Sequence, residues 1–141
     1  MHSAILQPVI VLIGWTLVML IWMLATRLPA MGASGIDLGT LRGTKPADAD
    51  QGLPPEIQWK AHNYNHLHEQ PVLFYAVCLV IAFTGTGDGV NAWIAWVYVA
   101  LRIAHSLWQA TINKVSVRFA LFLLASVALA ALTVRATMAV F

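Results

Sequence analysis

The sequence predicts an all-α integral membrane protein, a single domain in which four transmembrane helices form a bundle. Hydrophobic residues make up 60% of its 141 residues, charged residues make up 10%, and the mean hydropathy is +0.74. Soluble domains usually carry about a quarter charged residues. Several apolar runs reach the roughly 20 residues that a helix needs to cross a bilayer. Because backbone polar groups in hydrocarbon must be paired within their own segment, we predict that these runs are helices.

The first span is predicted at residues 4–26, because residues 1–26 contain no Asp, Glu, Lys or Arg. This run lacks a basic start and reaches Arg27 before any small-residue cleavage site, so we interpret it as a retained span and not as a signal peptide. Residues 27–58 are rich in Gly, Pro and Asp, which predicts a long loop.

The remaining spans are predicted at 59–84, 90–111 and 115–134, with a tight turn at the GTGDG segment of residues 85–89. Lys and Arg concentrate in and beside the loop at 27–58 and around Lys114, and positive residues favour the cytoplasmic side. We therefore expect that loop to be cytoplasmic and both termini to lie outside. The compact size and the lack of an organelle signal favour a bacterial inner membrane. The net charge of +2 is too small to indicate a nucleic-acid partner.

Ionisable and polar residues interrupt the second and third spans at spacings of three, four and seven, which place them on one helical face. They are His62, His66 and Glu69 on the second span and Arg102, His105 and Gln109 on the third. Glu69 and His105 are equally far along the chain from Gly87 at the centre of the turn, so an antiparallel pair brings the two faces together. An isolated charge inside a membrane is costly, and we therefore predict an ion pair between Glu69 and Arg102.

The surrounding residues predict a polar pocket in the cytoplasmic half that accepts an anion. Its further members are Asn65, Asn113 and Arg118. One alternative is that the ion pair only sets the helix register. A second is a metal or haem site on His62, His66, Glu69 and His105, since imidazoles and a carboxylate on one face are metal ligands. Arg102 would repel a cation there, so we predict no metal ligands.

Two segments resemble the MAPEG family, the membrane-associated proteins of eicosanoid and glutathione metabolism. HLHEQPVLFY at residues 66–75 is similar to the family's helix-two pattern of a glutamate followed by proline and an apolar run. LRIAHSLWQATINKVSVRF at residues 101–119 is similar to the prostaglandin E synthase branch in its Arg102, His105 and Arg118. The chain is thereby identified as a divergent, bacterial-type member.

The resemblance implies a homotrimer in the membrane, with glutathione bound between neighbouring protomers near the cytoplasmic face. It implies that Glu69 contacts the amino group of glutathione, that Arg118 is the catalytic residue that stabilises the thiolate, and that Arg27 comes from a neighbouring chain. The candidate glutathione-binding residues are Arg27, Lys60, His62, Asn65, His66, Glu69, Arg102, His105, Gln109 and Asn113.

The function that the resemblance implies is a glutathione-dependent transferase or peroxidase acting on lipophilic electrophiles, which are small molecules that partition among the membrane lipids. The alternative is a non-catalytic membrane protein that binds a lipid or a protein partner through the same pocket.

Overall fold

The computed structural model describes residues 3–45, 48 and 51–141, and this part of the chain is helical with no strand. Its helices are α1 (Leu6–Ala33), α2 (Pro55–His66), α3 (Gln70–Phe83), α4 (Val90–Thr111) and α5 (Val115–Val140). α1, the α2–α3 segment taken together and α5 are each long and apolar enough to cross a membrane. The predicted class, an all-α membrane bundle, is therefore confirmed.

α1 continues to Ala33, beyond the end at residue 26 that the charge pattern predicts. Its 28 residues correspond to about 42 Å at 1.5 Å per residue, which exceeds the roughly 30 Å of a hydrocarbon core. Arg27 and the turns after it therefore extend past the hydrocarbon, and the first loop starts later than predicted.

The predicted second span is two helices, because the chain leaves the helical conformation between α2 and α3. Glu69 has φ −92° and ψ −98°, and Pro71 lies in the first turn of α3. Proline has no N–H, and its ring would clash with the carbonyl four residues earlier, here that of Leu67. The break changes the direction in which Glu69 points relative to a continuous helix.

α4 is the central helix of the bundle and contacts α1, α2 and α5. Its inner face buries polar side chains, while its outer face exposes apolar residues such as Trp93 and Val97. This arrangement, with polar groups facing the protein and apolar groups facing outward, is typical of membrane helices that carry ionisable residues. The inner polar face also lowers the mean hydropathy of α4, and α4 is not among the three segments above.

The connection between α3 and α4 is the glycine-rich turn, and the N-terminal segment docks onto it. Ile5 donates its backbone N–H to the carbonyl of Gly87 at 2.9 Å, and the Ala4 N–H reaches the Asp88 carboxylate at 2.8 Å. A Cβ on Gly87 would overlap Ser3 Oγ. A side chain at position 87 would therefore force Ser3 and Ile5 to shift.

α3 is tied to both neighbouring helices in the middle of the bundle. The rings of Phe74 and Tyr98 stack with centroids 4.3 Å apart. The Tyr98 hydroxyl donates to Gln70 Oε1 at 3.3 Å, and Gln70 Nε2 donates to Ser126 Oγ at 2.8 Å. These contacts hold the start of α3, and with it the break at residues 67–69, against α4 and α5.

Candidate functional site

The end of the bundle where α2 stops and α5 begins contains a cleft of about 210 Å³. Three of the predicted site residues, His66, His105 and Arg118, line it together with apolar side chains of α5. His66 comes from the end of α2, His105 from α4 and Arg118 from the start of α5. We call this the histidine cleft.

His66 connects the groups around the histidine cleft. Its Nδ1 lies 2.8 Å from Glu69 Oε2, and its ring lies 5.0 Å from the ring of His105, centroid to centroid. Its backbone carbonyl accepts a hydrogen bond from Arg102 Nη2 at 3.4 Å. His66 thus contacts an acid, an imidazole and a guanidinium at the same time.

The predicted ion pair between Glu69 and Arg102 does not form among the described residues. The Glu69 side chain is 67% exposed and its carboxylate contacts His66, whereas Arg102 is fully buried and bonds to the His66 carbonyl. The physical reason is the break before Pro71: the prediction assumes a continuous helix, and the break turns Glu69 outward from the face of α2.

Arg118 is held in place by a residue of the connection between α4 and α5. Asn113 has φ +54°, the left-handed conformation that asparagine tolerates best among residues other than glycine. Its side-chain Oδ1 accepts a hydrogen bond from Arg118 Nη1 at 2.7 Å. The guanidinium therefore has a fixed partner on one side and faces the histidine cleft on the other.

The polar residues on the inner face of α4 lie beside the histidine cleft and are deeply buried. Arg102 is fully buried, His105 is 2% exposed and Gln109 is 7% exposed. Several of their polar atoms make no hydrogen bond to the described part of the chain: Arg102 Nε and Nη1, His105 Nδ1 and Gln109 Oε1. Buried polar atoms normally have partners, so these are the atoms that a bound polar ligand or an adjoining chain would satisfy.

Four other predicted residues do not line the histidine cleft. Arg27 and Asn65 line a different cleft, between α1, the first loop and α2. Lys60 Nζ bonds to the carbonyls of Glu56 and Ala110 and lies 5.4 Å from the centroid of the Trp22 ring. His62 is exposed on α2. Within one chain, the predicted set is therefore divided, since two of its members line a different cleft from that of His66.

Two groups of residues at or near the site were not predicted from the sequence. The apolar wall of the histidine cleft is Val115, Phe119 and Phe122. Their spacing of four and three around Arg118 marks one helical face and was a usable signal. A buried network was also missed: Ser106 Oγ accepts hydrogen bonds from Asn63 Nδ2 at 2.6 Å and from Trp15 Nε1 at 2.9 Å.

The structure gives no support to the metal alternative. Among residues 3–45, 48 and 51–141, no three His, Cys, Asp or Glu side chains are close enough to hold a metal ion. The carboxylate of Glu69 contacts His66 Nδ1, one of the nitrogens that a metal would use.

The fold and this site define an integral membrane protein of the helical-bundle class with a polar intramembrane site near one end. A family model described as MAPEG family matches residues 5–138 of the chain. The protein belongs to the MAPEG family. Comparisons with curated proteins and with solved structures found no significant match.

Proposed function

We propose that the protein binds glutathione at the histidine cleft and uses its thiol in a transferase or peroxidase reaction on lipophilic electrophiles. The observation that carries the proposal is the meeting of His66, His105 and Arg118 in one cleft at the end of the bundle. Family membership supports the choice of ligand, because MAPEG proteins generally use glutathione.

The charges around the cleft suit a tripeptide with two carboxylates, an amine and a thiol. Arg118 and the buried Arg102 favour anionic groups, and the exposed carboxylate of Glu69 is placed for an amino group. We assign thiolate stabilisation to Arg118, because a guanidinium beside a thiol favours its charged, nucleophilic form. Gln109 and Asn113 serve as support, the first as a buried acceptor and the second as the partner that orients Arg118.

The size of the cleft favours a site completed by a second protomer. Its volume of about 210 Å³ is below the roughly 300 Å³ at which small-molecule sites begin. Its mouth is bordered by Val115 and Phe119, which are 64% and 62% exposed. Arg27 lies in the other cleft of the same chain, so we assign it to that cleft and not to glutathione. We therefore propose a homotrimer with glutathione at the protomer boundary, and Lys60 and His62 then belong to its α2 wall.

The orientation that we propose places the first loop in the cytoplasm, both termini outside and the protein in an inner membrane. The support is the excess of Lys and Arg at the loop end of the bundle, where Arg42, Lys45, Lys60, Lys114 and Arg118 lie, compared with Arg135 at the opposite end. The histidine cleft would then open toward the compartment that holds the loop. Cysteine labelling in intact cells at positions 42 and 135 tests this orientation, because only the outside position reacts with an impermeant reagent.

The first experiment is the melting temperature of detergent-purified protein across a titration with glutathione, and with an analogue in which alanine replaces its cysteine. A ligand that binds only the folded state stabilises it by about 2.7 kcal/mol at 100 times its Kd, so binding gives a saturable rise. We expect both compounds to stabilise the protein, and only glutathione to support turnover of a lipophilic electrophile such as chlorodinitrobenzene. A flat titration with both compounds would remove glutathione from the proposal.

Arg118→Gln is the variant that tests the catalytic assignment, and Arg135→Gln at the other end of α5 is its matched control. We expect Arg118→Gln to lower kcat by at least tenfold while the glutathione titration still shows binding. Arg135→Gln should leave kcat unchanged. Equal losses in both variants would show a general effect of charge and contradict the role given to Arg118.

A further inference from the structure

The second cleft lies on the opposite side of α2 from the histidine cleft and has a volume of about 410 Å³. Three elements form it: the last turns of α1, the loop segment at residues 38–45, and α2. Most of its wall is apolar, while Arg27 and Lys45 bring two positive charges to it. We call it the loop cleft.

The position of Arg27 along α1 places the loop cleft at the level of the lipid head groups. From Leu6, where α1 begins, to Arg27 the helix rises by about 32 Å at 1.5 Å per residue, close to the thickness of a hydrocarbon core. Met23 and Leu24 precede Arg27 by one turn and lie on the hydrocarbon side, whereas Lys45 belongs to the loop that follows α1.

Polar and apolar groups of the loop cleft are therefore ordered in the same way as those of a membrane lipid. Leu38 and Leu41 of the loop line the cleft although they are 57% and 42% exposed, which leaves apolar surface available to an acyl chain. Tyr64 and Asn65 of α2 add a hydroxyl and an amide beside the two cations. Clustered Lys and Arg at this level attract anionic head groups, and apolar walls below them bury hydrocarbon.

We propose that the loop cleft binds one phospholipid with a net anionic head group, its phosphate held between Arg27 and Lys45 and one acyl chain lying along α1 and the loop. The ligand enters laterally from the leaflet on the loop side. The proposal does not depend on glutathione, because neither Arg27 nor Lys45 is assigned to the glutathione site.

Native mass spectrometry of the detergent-solubilised full chain tests the phospholipid proposal. The protein is mixed with equimolar dioleoylphosphatidylglycerol and dioleoylphosphatidylcholine, without glutathione. The two lipids share their chains and differ in head-group charge. We expect the wild-type protein to retain the phosphatidylglycerol preferentially. Each of Lys45→Gln and Arg27→Gln should reduce that preference about fivefold, the effect expected of one interfacial cation. Arg42→Gln, in the same loop but outside the cleft, should leave it unchanged.

Two further experiments test whether the acyl chain contributes to binding and whether a free phosphate compound can replace the lipid. Leu28→Trp adds bulk to the apolar wall at a half-exposed position of α1, and we expect it to reduce retention of both lipids. Glycerol 3-phosphate supplies the phosphate without chains, and an excess of it should not displace the lipid. Equal retention of the two lipids, an equal loss in Arg42→Gln, or displacement by glycerol 3-phosphate would overturn the proposal.

Discussion

The buried network around Ser106 gives the sharpest prediction about stability. Ser106 and Asn63 are fully buried, and the serine hydroxyl accepts hydrogen bonds from Asn63 on α2 and from Trp15 on α1. One oxygen atom therefore joins α1, α2 and α4. The substitution Ser106→Ala removes that oxygen and keeps Cβ, so it leaves two donors without their acceptor and creates almost no cavity.

The size of the effect depends on how well the two donors find new partners. A buried donor left unpaired costs about 1–3 kcal/mol, which gives about 2–6 kcal/mol for two. Side-chain hydrogen bonds in membrane proteins are worth less, about 0.6 kcal/mol on average and about 1.7 kcal/mol at most, because the groups find other partners. Trp15 is half-buried and can reorient, whereas Asn63 is enclosed. We therefore expect Ser106→Ala to lower the free energy of unfolding by about 2 kcal/mol.

Reversible unfolding in mixed micelles, followed by helical circular dichroism over a titration with dodecyl sulfate, measures this change. Ser116→Ala, at an exposed position in the first turn of α5, is the matched control and should change stability by less than about 0.5 kcal/mol. A double-mutant cycle with Trp15→Phe isolates the indole bond, and we expect positive coupling. If Ser106→Ala unfolds like its control, the network does not hold the three helices together.

Three further substitutions test particular contacts. Gly87→Ala should lower the melting temperature, because its Cβ would overlap Ser3 Oγ; an unchanged melting temperature would contradict that docking. Glu69→Gln should lower the free energy of unfolding by less than about 1 kcal/mol, since the carboxylate is largely exposed. A larger loss would support the predicted ion pair with Arg102. Asn113→Gly should keep stability, because glycine accepts positive φ, yet lower kcat by freeing Arg118, and an unchanged kcat would refute that positioning role.

The membrane class was predictable because it depends on the hydropathy and charge of each segment and not on contacts between segments. Long runs without charge, such as residues 4–26, predict helices that cross a bilayer. In the structure α1, the α2–α3 segment and α5 are helical and long and apolar enough to do so. The inward polar face of α4 was also predictable, since a spacing of three and four places Arg102, His105 and Gln109 on one side of any helix.

Pairings between helices were less predictable. The expected contact between Glu69 and Arg102 assumed that α2 and α3 form one helix, and the break before Pro71 makes that assumption wrong. Pro71 was visible in the sequence, but proline shows only that the helix is disturbed and does not show which way the preceding side chain turns. The end of α1 was also predicted too early. The prediction ended the span at the first charged residue, whereas a helix can continue with polar residues beyond the hydrocarbon.

The sequence by itself determined that this chain lies in a membrane, that it is helical, and that α2, α4 and the start of α5 carry the polar residues. Only the tertiary structure decided that His66, His105 and Arg118 share one cleft while Arg27 and Asn65 line another. Hydropathy and helical backbone hydrogen bonding are properties of a single segment, so the sequence of that segment is enough to predict them. Side-chain contacts depend on register, and a shift of one residue rotates a side chain by about 100° around its helix, away from its expected partner.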